Sequence, residues 1–190
     1  MNTLCICSKN EIYKIFQRKK YWIILTVTLG ITVCGALIGL ISNSIISFSS
    51  QNYPYVILSL CCYVFVPFTA LMLSSDLISS ECERNELRFL LTKHASRTEL
   101  LFGKLAAVIV YEFFLTAANV IAALIFSLIF SGFTSVNIFA VLMSVVITVI
   151  PIAAFVSFAG IISVFCKNGI SAFGMGVAAY GGFTLLGVGF

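Results

Sequence analysis

Apolar positions run along this chain in long unbroken stretches, not at the spacing of one helix face or of alternate strand positions. The stretches over residues 21–46, 55–75, 105–130, 138–165 and 170–190 carry almost no charge. Each is long enough to cross a hydrocarbon layer about 30 Å thick as a helix, which takes roughly 20 residues. The pattern predicts an all-α, polytopic membrane protein: one transmembrane domain over residues 1–190, with about five transmembrane helices. Pro67 and Pro151 fall inside the second and fourth stretches. Both predict helix kinks, because proline removes the N–H that would serve the carbonyl four residues earlier. The fifth stretch carries Gly174, Gly176, Gly181, Gly182, Gly187 and Gly189, which predicts a helix that is pliable and tightly packed, or partly broken. Gly35 and Gly39 stand four apart in the first stretch, a spacing that permits close helix approach.

The polar intervals differ in kind. Residues 47–54 and 131–137 are short and uncharged. Within residues 1–20, Ile12, Ile15 and Phe16 share one helical face, with Lys9, Glu11, Lys14 and Arg18 mostly elsewhere. That predicts an amphipathic helix at the membrane surface, or else a helical extension of the first span. Tyr21 and Trp22 follow at headgroup level. The interval 76–104 is different: it holds ten of the eighteen Lys, Arg, Asp and Glu residues. Ser80 with Glu83, and Ser96 with Glu99, each fit a capping box that starts a helix. The first of these helices carries Leu87, Leu90 and Leu91 as an apolar stripe. The second runs on through Gly103 and Lys104 into the third span, after a turn over residues 92–95.

Composition narrows the class. With 61% hydrophobic residues and a mean hydropathy of +1.12, the chain lies outside the range of soluble domains. A net charge of +4 does not point to nucleic acid, because the basic residues flank apolar stretches and suit the lipid bilayer instead. Threading five spans from an inside N-terminus places all eleven Lys and Arg residues on one face and none in the two uncharged loops. By the positive-inside rule the N-terminus and residues 76–104 are cytoplasmic, and the expected location is the cell (plasma) membrane, multi-pass. The seven cysteines show no metal-ligand spacing. Cys5 and Cys7 are candidates for acylation, and Cys34, Cys61 and Cys62 act as small apolar residues.

Glu112 is the one acidic residue inside a span, and Thr116 and Asn119 follow on the same helix face. The stripe either lines a pathway or an interhelical seam, or Glu112 reaches back to the interface or to a basic neighbour. An intramembrane enzyme would need a second ionisable group at that depth. The spans offer none, and His94 is the single histidine. No catalytic, cofactor-binding or metal-binding residue is expected.

Residues 78–104 resemble the cytoplasmic signature loop of type-2 ATP-binding-cassette exporter permeases. Glu81 and Glu83 match its acidic start, Leu87, Leu90 and Leu91 its apolar positions, Ser96 and Arg97 its Ser-Arg, and Gly103 and Lys104 its Gly-Lys. Asn85 and Glu86 replace the usual Gly-Thr, and His94 and Ala95 replace Pro-Val. The resemblance implies a permease subunit of an ATP-driven exporter of peptide, drug or lipid-like cargo. A separate cytoplasmic ATPase would dock on Glu81, Glu83, Leu87, Leu90, Leu91 and Arg97, and a second permease subunit would complete the transporter. ATP and magnesium would belong to the ATPase, since this chain has no phosphate-binding loop. Family members usually have six spans, so a further helix after Phe190 is expected in an intact protein. The alternative reading is a non-transporting membrane scaffold or anchor.

Overall fold

A computed structural model describes residues 3–41, 52–79, 97–131, 137–166 and 168–188. All of the described secondary structure is helical. Helix α1 covers Thr3–Gln17 and α2 covers Lys19–Ile41. The second span, α3, runs Tyr53–Ser79, α4 is an unbroken helix over Arg97–Ser131, α5 runs Ile138–Phe165 and α6 Gly169–Val188. Five of these, all but α1, are long and apolar enough to cross a membrane.

α4 is the centre of the bundle, with α1, α2, α3 and α5 all packed against it. Its residues Ala107, Val108, Tyr111 and Leu115 are buried in one core with Ile15 of α1, Leu25 of α2, Leu73 of α3 and Ile152 of α5. A smaller cluster, Val120 and Leu124 against Val141 and Val145, joins α4 to the first half of α5. α6 lies outermost, on the second half of α3 and on α5. Large apolar side chains such as Phe165, Ile170 and Leu185 point outward from α5 and α6, as suits a lipid-facing surface.

The ends of the helices follow local chemistry. Pro54 sits in the first turn of α3, where its missing N–H costs nothing. Asn137 caps α5, its Oδ1 accepting from the Ala140 N–H at 3.2 Å. The chain breaks between α1 and α2 at Arg18, so α1 is a separate helix and not an extension of the span. It also begins earlier than residue 10, taking Cys5 and Cys7 into its first turns. The break is folded around Phe16, whose ring meets Trp22, Tyr111 and Phe114 edge-on. Its carbonyl accepts from Trp22 Nε1 at 2.8 Å.

Both prolines lie beside interruptions of the α-helical pattern. Before Pro67 the helix widens to π geometry over Cys61–Phe65, a local distortion of the kind that relieves a lost bond. In α5 the regular helix stops at Ile147 and restarts at Val149, so the interruption falls at Thr148, three positions ahead of Pro151. The glycine-rich α6 is continuous among the described residues. Gly176 is where its lack of a side chain matters: a Cβ there would come within 2.3 Å of Leu71 Cδ2 on α3. Gly35 faces Tyr53 within the same chain, so this half of the G-x-x-x-G spacing serves internal packing.

Candidate functional site

Two polar assemblies stand out in a bundle that is otherwise apolar. The first lies at the end of the bundle where α2 begins, α3 ends and α4 begins. Lys20 of α2 pairs with Asp76 of α3, and Tyr21 donates to the same carboxylate at 3.3 Å. Tyr111 of α4 in turn donates to the Tyr21 carbonyl at 2.9 Å. Deeper in, Lys104 of α4 donates to the Leu77 carbonyl at 2.9 Å and lies 3.8 Å from Glu11 of α1. Ser79 donates to the Ser163 carbonyl of α5 at 2.8 Å. This framework holds the two ends of the charged segment, residues 76–79 and Lys104, on one packed footing.

Within that segment, Glu81, Glu83, Leu87, Leu90 and Leu91 lie outside the described residues, as does the first capping box. Arg97 is the first residue of α4. Glu99 stands in the first turn of that helix, where a carboxylate suits the helix dipole.

Glu11 departs from the amphipathic reading. It was expected on the polar side of α1, yet it is only 5% exposed. Its own helix supplies Lys14 at 3.0 Å, and α4 supplies Lys104. The periodicity of residues 10–20 marks Ile12, Ile15 and Phe16 as the inward face. It cannot reveal that a lysine some ninety positions later will stand opposite Glu11.

The second assembly lies at mid-depth. Glu112, Thr116 and Asn119 are all fully buried on the face of α4 that meets α2 and α3. Thr69 of α3 donates to Glu112 Oε2 at 2.7 Å. Asn119 Nδ2 donates to Thr28 Oγ1 of α2 at 3.2 Å and to the Leu115 carbonyl at 2.8 Å. Among the described residues Glu112 meets no basic neighbour and it is fully buried; it sits in a seam joining three spans. Among the described residues, Glu112 Oε1, Thr116 Oγ1 and Asn119 Oδ1 have no hydrogen-bond partner. Thr69 and Thr28 are partners that only the packed helices show. Threonine in a membrane helix usually bonds back to its own backbone, as Thr26, Thr28 and Thr32 do here, so the sequence carries no signal for them.

Pro67 and Pro151 act on helix geometry, not on chemistry. The carbonyl left without its α-helical donor by Pro67 is that of Tyr63, and it accepts from the Tyr180 hydroxyl of α6 at 2.5 Å. Among the described residues no cluster of His, Cys, Asp and Glu could hold a metal ion.

A charge-framed bundle of five apolar helices defines a multi-pass membrane protein. Residues 6–189 match the family model described as ABC-2 family transporter protein. The chain belongs to that family and is a membrane transporter subunit of the permease type. A comparison with curated proteins found no match.

Proposed function

We propose that this chain is the permease subunit of an ATP-driven exporter, coupled through residues 76–104 to a separate cytoplasmic ATPase that holds the ATP and magnesium. The observation that carries this is the polar framework at the basic end of the bundle. Lys20–Asp76, Lys104–Leu77 and Ser79–Ser163 tie α2, α3, α4 and α5 together at the two ends of the segment that would be gripped. A push on a segment so mounted is delivered to several spans as rigid bodies, not lost in a loose loop. The side that receives it is the cytoplasmic side, supported by the placement of every Lys and Arg, and the membrane is the cell membrane.

A second permease subunit, identical or related, completes the pathway. Cargo that is hydrophobic or amphipathic, whether peptide, drug or lipid-like, fits the bundle's outer surface best. Two grooves of about 370 Å³ flank Tyr63, one lined with Phe155, Phe158 and Phe183, the other with Ile31, Val56 and Leu60. Neither has a charged residue in its wall.

Co-purification tests the docking. The wild-type chain should bring down an ATPase, and Arg97→Glu and Leu90→Asp should each release it while the chain still inserts. If both variants keep the ATPase and still export, residues 76–104 are not the docking segment. If the wild-type chain retains no ATPase, the scaffold reading takes its place.

A further inference from the structure

Lys104 is 2% exposed and Glu11 5%, an unusual depth for two ionisable groups in a protein with so few. A buried ion pair seldom adds stability over well-packed apolar side chains. What the charge supplies is direction, since it points a donor at a carbonyl and faces a carboxylate 3.8 Å away. The carbonyl belongs to Leu77, the second residue of the charged segment, and Lys104 is the last residue of that segment. The carboxylate is on α1, the only described helix that is not a span. One ammonium therefore touches the entry to the segment, the exit from it, and the N-terminal helix.

We propose that Lys104 is a positioning residue that makes α1 and the two ends of the charged segment move as one piece, so that a displacement of that segment is carried to α1 through Glu11. Ring edges at Phe16 and apolar packing at Ile15 also join α1 to α4. The Lys104–Glu11 pair adds a charged contact at 3.8 Å between the same two helices. Its role in coupling rests on the docking proposed above, but its role in holding α1 does not.

The experiment uses the full chain in lipid nanodiscs and reads amide hydrogen exchange. Lys104→Met keeps the apolar stem and deletes the charge. It should speed exchange across residues 3–17 by about tenfold while residues 105–125 stay within about twofold of wild type. Lys104→Arg should restore protection. Glu11→Gln removes the charge from the helix side and carries the same expectation, so it decides the matter if the Met variant does not insert. Unchanged protection of residues 3–17 in the variant that inserts overturns the inference. In the complex with its co-purified ATPase, ATP with orthovanadate should alter exchange in residues 3–17 of the wild type and leave them unaltered in Lys104→Met, although nucleotide still binds. A merely structural lysine would leave that response in place. Absence of any co-purifying ATPase would remove the docking proposal, and the exchange of residues 3–17 would still judge Lys104.

Discussion

The Tyr180 hydroxyl, on the outermost span, donates to the Tyr63 carbonyl at 2.5 Å, and that carbonyl is the one four residues ahead of Pro67. A defect in one helix is thus closed by a side chain from another. An unsatisfied carbonyl in lipid is costly, so the contact gives α6 a specific place on α3, which its small buried fraction would not secure alone. Tyr180→Phe should destabilise the bundle by about 1 kcal/mol, within the range measured for hydrogen bonds between membrane helices. Pro67→Ala returns an N–H to the Tyr63 carbonyl, so Tyr180→Phe should cost almost nothing in that background. Unfolding in mixed micelles across the four variants measures the coupling; additive costs would show that the two residues act separately.

Gly176 offers a second handle on the same interface. A Cβ there meets Leu71 Cδ2 at 2.3 Å, so the buried leucine or the helix must shift. Gly176→Ala should cost about 1–3 kcal/mol as an overpacking change. Leu71→Ala in the same chain should recover much of that loss. Gly181, with open space around it, should accept alanine without penalty. Thermal unfolding of the three variants in detergent separates a steric cause from a general need for glycine in α6.

Thr69 Oγ1 lies 2.7 Å from both Glu112 Oε2 and the Phe65 carbonyl, and one hydroxyl hydrogen serves only one of them. Glu112→Gln brings a hydrogen of its own, so its amide can donate to Thr69 while Thr69 donates to Phe65. The variant should fold within about 1 kcal/mol of wild type, the net worth of one hydrogen bond. Glu112→Ala instead empties the seam at a fully buried position and should cost about 2–4 kcal/mol, as large-to-small core changes do. Transport by Glu112→Gln is the informative number: full activity means that the seam only joins spans, and loss with an intact fold means that the carboxyl takes part in transport.

Hydropathy alone marks the five spans, because length and the absence of charge are properties of each stretch by itself. The Glu112, Thr116 and Asn119 face is legible for the same reason, being fixed by helical spacing within one element. Partners from other elements are not. Nothing in residues 3–17 announces that Glu11 will be buried, because Lys104 arrives only when α1 packs on α4. Nothing in the second stretch distinguishes Thr69, which faces Glu112, from threonines that serve their own backbone. Proline predicts a freed carbonyl at Tyr63 but not that Tyr180 will fill it. What one helix shows, sequence reveals; what two helices share, only packing decides.

The Lys20–Asp76 pair differs from Lys104–Glu11 in exposure, and the difference can be measured. Side chains of Lys20 and Asp76 are 37% and 26% exposed, against 2% and 6% for Lys104 and Glu11. Solvent and salt screen the first pair, which limits its worth to about 1 kcal/mol or less. Breaking the second pair takes place in the interior, where removing one member typically costs about 3–5 kcal/mol. Asp76→Asn should therefore be tolerated, with an effect on unfolding that shrinks as sodium chloride rises from low ionic strength to about 1 M. Glu11→Ala should be several-fold more damaging and nearly indifferent to salt. Equal costs for the two substitutions, or equal salt dependence, would mean that water reaches Lys104 as freely as it reaches Lys20.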